Sequence, residues 1–154
     1  MDLLIKFLAD YLLIIVLLVG AGALLVGTSL RTKVQAYPYV IMAGLTSLLV
    51  GKLMSLLYQP EAARPFVEQG VTAGAAYIDN PGFPSDHVLL ATVVALAVIV
   101  LVKKRWLSVL MVVAVLAIGL GRILALVHTP LDVIGGLVAG LSGGIWYLSL
   151  TKKK

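Results

Sequence analysis

Residues 80–102 read NPGFPSDHVLLATVVALAVIVLV, which sets a Ser-Asp-His triplet directly before an unbroken apolar run. A membrane-spanning helix needs about 20 mostly apolar residues. The run therefore predicts a membrane helix that begins beside an acid and one of the two histidines of the chain. Because ionisable groups are costly near a bilayer, their position at the start of this helix indicates a function.

The composition of the whole chain supports a membrane protein. Of its 154 residues, 61% are hydrophobic and only 12% are charged, against about 25% charged in typical soluble domains. We therefore expect an all-α, polytopic helical bundle that uses residues 1–154 as a single domain. The net charge of +5 is spread in short clusters beside apolar runs, which is typical of topology signals and argues against nucleic-acid binding.

Apolar runs predict about five membrane helices, at residues 5–28, 37–58, 85–102, 106–127 and 130–150. The first is interpreted as a retained helix rather than a signal peptide, because its amino side lacks a basic run. The long connection at residues 59–84 is polar and rich in Pro and Gly. Connections of this length are often functional. The glycines inside the runs, such as Gly22 and Gly140, are expected to permit close helix packing.

Basic residues set the expected orientation, because loops rich in Lys and Arg stay in the cytoplasm. The basic clusters that follow the first, third and fifth predicted helices are Arg31 and Lys33, residues 103–105, and residues 152–154. All three clusters fall on one side of a five-helix bundle. We therefore expect a multi-pass protein of the plasma membrane with its amino terminus and long loop outside and its carboxyl terminus in the cytoplasm.

Three cations do not fit this pattern: Lys52, Arg64 and Arg122 lie in or near the outer half. Arg122 is about six residues before the outer end of its helix, or roughly 9 Å deep at the helical rise. Snorkelling to the interface is one explanation for Arg122 and Lys52. A functional role in binding an anion is the other.

The segment HTPLD at residues 128–132 has a readable local geometry. Thr129 suits the N-cap of a helix, Pro130 its first position and Asp132 its third, which together make a capping box. Taken alone, Asp132 is a capping residue. Because His128 stands directly before the cap, Asp132 can also accept a hydrogen bond from one imidazole nitrogen and leave the other free to attack.

The segment PSDH at residues 84–87 has a similar pattern. Ser85 suits the N-cap of a helix whose first amides form a site for an anion. His87 in the first turn can donate a proton into that site. A single histidine at a membrane interface is more often structural, so neither histidine is decisive alone.

Both histidines, the three cations, Asp132 and a helix amino terminus all map to the outer end of the bundle. Cations and helix-terminal amides bind phosphate, while two histidines supply a nucleophile and an acid, so the combination suits phosphoryl transfer. The competing chemistry is metal-assisted, but it needs clustered ligands, and Glu61, Glu68 and Asp79 are scattered along the loop. The sequence therefore favours a mechanism without a metal or another cofactor.

These residues resemble the type 2 phosphatidic acid phosphatase superfamily, which has the signatures K-x6-RP, PSGH and SR-x5-H-x3-D. The third is matched by GRILALVHTPLD, with Gly121 where serine is usual, and the second by PSDH, with Asp86 in place of glycine. The first is partial, because KLMSLLYQPEAARP separates Lys52 from Arg64 by twelve positions rather than seven. The motifs cover about residues 52–136. The superfamily core usually has six membrane helices, of which the first has no counterpart here.

The resemblance implies a role for each candidate residue. His128 would be the nucleophile that forms a phosphohistidine, oriented by Asp132. His87 would protonate the leaving oxygen and then activate the water that hydrolyses the intermediate. The phosphate oxygens would be held by Arg64, Arg122, Lys52, Ser85 and the amide of Asp86. The Asp86 carboxylate would point away, contact a cation or influence substrate choice.

The segments RPFV, FPSDH and HTPLDVIGG are similar to those of bacterial undecaprenyl diphosphate phosphatases within this superfamily. This similarity implies hydrolysis of an isoprenoid diphosphate at the outer membrane face, which recycles a lipid carrier for cell-wall synthesis. The alternatives are a phosphatidylglycerophosphate or phosphatidate phosphatase, and a non-catalytic lipid transporter or scaffold. The expected partners are a lipid phosphate substrate and membrane lipids, and glycine-lined helix faces would allow a homo-oligomer.

Overall fold

A computed structural model describes residues 3–58, 64–80 and 82–151, and all regular structure in these ranges is helical. The helices are α1 (Leu3–Gly27), α2 (Leu30–Leu57), α3 (Pro65–Glu68), α4 (Asp86–Leu101), α5 (Arg105–Leu124), α6 (Pro130–Ser142) and α7 (Ile145–Thr151). Residues Phe7–Tyr11 of α1 form a π-helical turn. The expected all-α class is confirmed.

Four helical segments of the described chain are long and apolar enough to cross a membrane: α1, α2, α5 and the combined segment Pro130–Leu148. The remaining predicted span, α4, has 16 residues and is thus about 24 Å long. It packs against α1, α2, α5 and α6 and so occupies the centre of the bundle. A central helix is surrounded mainly by protein, which reduces its need to match the bilayer thickness.

Three helix boundaries differ from the predicted ones. Helix α2 begins at Leu30 rather than residue 37, because the Ser29 hydroxyl accepts a hydrogen bond from the Thr32 amide at 3.2 Å and caps the polar first turn. Helix α5 ends at Leu124 rather than residue 127, since Leu126 adopts a left-handed conformation with φ of 58°. The last predicted helix is divided into α6 and α7 by a turn at residues 143–144.

The main core lies between α1, α4 and α5. Its fully buried members include Val16, Val88 and Ile118. Large aliphatic side chains also cover the outside of the bundle, for example Leu18, which is 69% exposed, and Leu49, which is 60% exposed. A surface this apolar would be unfavourable in water, whereas a bilayer solvates it. The protein is therefore a multi-pass membrane protein.

Glycines on α6 bring α4 and α6 into close contact. A Cβ at Gly140 would lie 2.6 Å from the Thr92 Cβ and 3.0 Å from the Leu89 carbonyl oxygen, and Gly136 is equally tight against α4. The expected packing role is therefore confirmed for these glycines, which have the spacing of the small-xxx-small pattern. Gly22 differs, because no described atom outside its own stretch of helix lies within 4 Å of its Cβ position.

The helices place all the motifs at one end of the bundle, which we call the site end. It comprises the amino-terminal part of α1, the end of α2, the loop 64–80, the starts of α4 and α6, and the end of α5. The loop is bonded to the residues that follow α5: the Phe66 amide donates to the Leu126 carbonyl at 3.0 Å, and the Gly74 amide to the Ala125 carbonyl at 2.9 Å.

The basic clusters at residues 31–33 and 103–105 lie at the opposite end, as the charge pattern predicts. The third cluster, residues 152–154, lies outside the described residues, as do residues 59–63 and Pro81. Which end of the bundle faces the cytoplasm stays a prediction.

We expect Gly140→Ala to lower stability by about 1–3 kcal/mol, because the added methyl overpacks the α4–α6 contact. The measurement is the thermal unfolding midpoint of the detergent-purified protein. Gly22→Ala is the matched control, since its methyl meets no described atom outside its own stretch of helix, and we expect it to leave the midpoint unchanged or slightly raised. Equal midpoints for the two variants would contradict this account of the packing.

Candidate active site

The turn between α5 and α6 presents His128 at the site end. The capping box expected from HTPLD is confirmed: the Thr129 hydroxyl accepts from the Asp132 amide at 3.2 Å, and Asp132 Oδ2 accepts from the Thr129 amide at 2.8 Å. This box fixes the start of α6 and holds the Asp132 carboxylate beside the residue before the cap. The position of His128 therefore follows from local sequence.

His128 and Asp132 form a buried pair. Their Nδ1 and Oδ2 atoms are 3.4 Å apart, and the side chains are 6% and 5% exposed. Within the described chain, His128 Nδ1 and Asp132 Oδ1 have no hydrogen-bond partner. Such contacts are often long in ligand-free sites and shorten when the substrate binds. With Nδ1 directed at the carboxylate, Nε2 is the ring nitrogen available for chemistry.

Burial lowers the pKa of His128 below its ordinary value of 6.5. The carboxylate of Asp132 opposes this shift, and the nearby positive charges of Arg122 and Arg64 reinforce it. The imidazole is therefore neutral at pH 7. A neutral imidazole has a lone pair and can act as a nucleophile.

The start of α4 is joined directly to the start of α6. The Ser85 amide donates to the Asp132 carbonyl at 2.9 Å, so the second and third motifs are bonded through their backbones. Ser85 is the N-cap residue of α4, but its side chain makes no capping hydrogen bond, so the expected hydroxyl cap is wrong. The hydroxyl is instead fully buried and has no partner within the described ranges.

A cavity of about 510 Å³ opens at the site end. It is lined by both histidines, by Arg64 and Arg122, and by Asp86. The structure therefore brings together these five residues that the sequence singled out. Ser85 and Asp132 do not line this cavity and lie directly behind residues that do. Apolar residues, among them Leu13, Leu48 and Leu90, complete the wall.

Arg122 is 1% exposed and is held from one side. Its Nη1 donates to Asp10 Oδ1 at 3.1 Å and to the Ala76 carbonyl at 2.8 Å. The motifs of the sequence did not point to Asp10 as a site residue. A signal was present, because an acid inside an apolar run needs a partner, but the spacing could not show that Arg122 was that partner.

Arg64 is bonded mainly to the polypeptide backbone. Its guanidinium donates to the carbonyls of Val127 (2.6 Å), Ile78 (2.9 Å) and Asn80 (3.1 Å), and to the Asn80 side chain (2.6 Å). Partial burial lowers the pKa of Arg64 below its ordinary value, and nearby acids, Asp132 foremost, oppose this shift. Arg64 thus fastens the loop to the residue before His128 while also lining the cavity.

Lys52 lies beside a second cavity of about 260 Å³ rather than the first. The two cavities adjoin, since they share four lining residues: Leu48, Asn80, Pro84 and Asp86. Lys52 is therefore next to the main site rather than in it, and Asp86 lies between the two cavities. Among residues 3–58, 64–80 and 82–151, no group of three or more His, Asp or Glu side chains could hold a metal ion.

Two histidines and two arginines around one cavity of a membrane bundle, with a buried carboxylate beside one histidine, are typical of membrane-embedded enzymes that act on phosphate esters. The chain belongs to the PAP2 superfamily, whose family model matches residues 11–154. The resemblance drawn from the sequence motifs is thereby confirmed.

Three curated bacterial proteins are similar to the chain. It is 28% identical over 151 residues to the undecaprenyl-diphosphatase BcrC of Bacillus subtilis, covering 96% of this chain and 73% of that protein. It is 34% identical over 112 residues to the bacitracin transport permease protein BcrC of Bacillus licheniformis, covering 70% and 52%. It is 34% identical over 104 residues to the putative undecaprenyl-diphosphatase YbjG of Escherichia coli, covering 68% and 51%.

The alignments therefore span about half the length of two of these relatives. No solved structure matches the chain.

The lowered pKa of His128 has a kinetic consequence. We expect the acid limb of kcat/KM to have its midpoint below pH 6.5, because the buried imidazole stays neutral until the solution is more acidic. Asp132→Asn should move this limb to still lower pH, since the carboxylate raises the pKa of His128. The measurement is phosphate release from a lipid phosphate across pH 4–8. The ionisation of the substrate is common to both proteins, so a shift towards higher pH in the variant would contradict the assignment.

Proposed function

We propose that the protein hydrolyses an isoprenoid diphosphate, undecaprenyl diphosphate, to its monophosphate through a phosphohistidine intermediate. The observation that carries the proposal is the convergence of His128, His87 and Arg122 on one cavity, with Asp132 3.4 Å behind His128. The undecaprenyl-diphosphatase names of two relatives support the same substrate.

In the first step, Nε2 of His128 attacks the terminal phosphorus of the diphosphate. A P–N bond forms while the bond between the phosphorus and the bridging oxygen breaks. His87 protonates the bridging oxygen, so that the lipid monophosphate leaves. Asp132 stabilises the positive charge that develops on the imidazole of His128.

In the second step, His87 accepts a proton from a water molecule that attacks the phosphohistidine. The P–N bond breaks, inorganic phosphate is released and His128 returns to its neutral form. Arg122 and the first amides of α4 stabilise the charge on the phosphoryl oxygens, which is the dominant requirement of phosphoryl transfer. We therefore propose a reaction that requires no metal ion.

The adjoining cavities support a diphosphate as the substrate. The terminal phosphate would bind in the larger cavity with the histidines, while the phosphate that carries the lipid would lie towards Lys52 in the smaller one. There the ammonium group of Lys52 would stabilise the charge of the departing monophosphate. The exposed apolar surface of α2 beside Lys52, including Leu49 and Leu53, would contact the isoprenoid chain.

We propose that the site end faces the outside of the plasma membrane. The support is the position of residues 31–33 and 103–105 at the opposite end of the bundle, because segments rich in Lys and Arg are retained in the cytoplasm. A substrate in the outer leaflet would then reach the cavity with its phosphate groups in the interfacial region and its chain in the bilayer.

A panel of lipids tests the substrate. Purified protein with EDTA is offered undecaprenyl diphosphate, undecaprenyl monophosphate, phosphatidylglycerophosphate and phosphatidate, and phosphate release is measured. We expect the highest kcat/KM for the diphosphate and no loss with EDTA. Turnover of the glycerophospholipids without turnover of the diphosphate would reject the proposed substrate and favour the alternative phosphatase activity. A soluble nucleotide is the negative control.

The same panel tests the position of Lys52. Lys52→Ala should lower kcat/KM for the diphosphate about tenfold or more, the size expected for one charge-assisted contact. Its effect on substrates with a single phosphate should be small, because they leave the smaller cavity without a phosphate. Equal losses on all substrates would place Lys52 at the reacting phosphate instead.

The role of His128 is tested by His128→Asn, which keeps a polar side chain but removes the nucleophile. We expect turnover to fall by about 10³-fold or more. Rapid acid quenching of the wild type with ³²P-labelled diphosphate should trap an acid-labile phosphoenzyme that the variant lacks. Vanadate, which mimics a pentacoordinate phosphorus, should inhibit the wild type.

An active His128→Asn enzyme would refute the phosphohistidine. A wild type without phosphatase activity would instead favour transport, the function named for the Bacillus licheniformis relative.

A further inference from the structure

The π-helical turn at Phe7–Tyr11 packs tightly on the end of α5. A Cβ at Gly121 would lie 2.7 Å from the Leu8 Cβ and 2.8 Å from the Ala9 backbone nitrogen, so no side chain fits there while the turn keeps its position. The serine usual at this position in the superfamily signature would meet the same atoms. Gly121 and the turn are therefore matched to each other.

The turn directs Asp10 at Arg122. Asp10 Oδ1 accepts from Arg122 Nη1 at 3.1 Å, and Asp10 Oδ2 accepts from the Ala76 amide at 3.1 Å. The Ala76 carbonyl in turn accepts from the same Nη1 at 2.8 Å. These three hydrogen bonds form a closed ring that joins α1, the loop and α5. π-Helical turns inside α-helices are frequent at functional sites.

The ring uses only one nitrogen of the guanidinium, Nη1. Arg122 Nε is buried and has no hydrogen-bond partner within the described chain, although the residue lines the main cavity. Arginine binds phosphate best through two parallel N–H donors on one edge. Because Nη1 is occupied by Asp10 and Ala76, a phosphate would bind to the remaining guanidinium donors of Arg122.

We propose that Asp10 is a positioning residue of the phosphatase site, which holds Arg122 through Nη1 so that the remaining donors of the guanidinium bind the phosphoryl group. Asp10 acts through Arg122 and does not itself contact the substrate. Through Asp10, the π-helical turn at Phe7–Tyr11 contributes to the geometry of the site. The inference rests on the phosphate-binding role proposed for Arg122.

Charge and position predict opposite effects of removing Asp10. If Asp10 only neutralises Arg122, its loss leaves the site more positive, and an anion binds more tightly. If Asp10 holds the guanidinium in place, its loss lets the side chain reorient, and an anion that needs the correct geometry binds more weakly. The inhibition constant of vanadate therefore separates the two roles, which turnover alone does not.

The experiment compares Asp10→Asn and Asp10→Ala with the wild type in the full-length, detergent-purified protein. We expect kcat/KM for the lipid diphosphate to fall about tenfold or more and the vanadate inhibition constant to rise by a similar factor, as for a lost hydrogen bond to a charged group. Glu68→Gln is the matched control, because it removes one exposed carboxylate from the same end of the bundle. We expect it to change neither quantity.

Gly121→Ser provides an independent variant, since it keeps Asp10 but displaces the turn that carries it. We expect it to weaken vanadate binding as Asp10→Asn does, although it removes no charge. Tighter or unchanged vanadate binding in the Asp10 variants would overturn the inference. The inference would also be overturned if the Asp10 variants failed to fold, because Asp10 would then be a structural counter-ion.

Arg122→Ala separates this inference from the proposed function. If Arg122→Ala abolishes turnover while the Asp10 variants behave as wild type, only the positioning role fails. If Arg122→Ala retains full turnover, the proposed phosphate-binding role of Arg122 fails first. We expect Arg122→Ala to lose more activity than either Asp10 variant, since it removes the donor itself.

Discussion

The buried guanidinium of Arg122, at the site end of the apolar bundle, constrains the segments that pack against it. Arg122 is 1% exposed, and a charge removed from water needs opposite charge and hydrogen-bond acceptors to be tolerated. The structure supplies both from distant parts of the chain, with Asp10 from the first helix and the Ala76 carbonyl from the long loop. The first helix and the loop are therefore fixed by a buried charge that also lines the main cavity.

Close backbone contact between α4 and α6 likewise constrains the positions of the two histidines. Because Gly136 and Gly140 let α6 approach α4 without intervening side chains, the Ser85 amide can reach the Asp132 carbonyl at 2.9 Å. His87 lies two residues after Ser85, and His128 lies four residues before Asp132. Small errors of placement are costly for phosphoryl transfer, and a direct backbone bond between the two motifs limits such errors.

The sequence predicted the features that depend on local pattern and charge. Apolar runs gave the helices, the capping box placed Asp132 beside His128, and motif spacing identified the superfamily. Features that depend on contacts between distant segments were not predictable in this way. The pairing of Asp10 with Arg122, the buried Ser85 hydroxyl and the position of Lys52 beside a second cavity follow from packing that no short spacing encodes. The early start of α2 was missed because a serine cap outweighed the polarity of the first turn.

The hydrogen bonds of the long loop affect how a ligand could reach the main cavity. Arg64 joins the loop to the Val127 carbonyl, and the Phe66 and Gly74 amides join it to the turn that carries His128. Lifting this loop would break those bonds and disturb the position of His128. We therefore expect the loop to stay in place, so that a ligand would enter the main cavity between the helices and the membrane interface rather than beneath a moving loop.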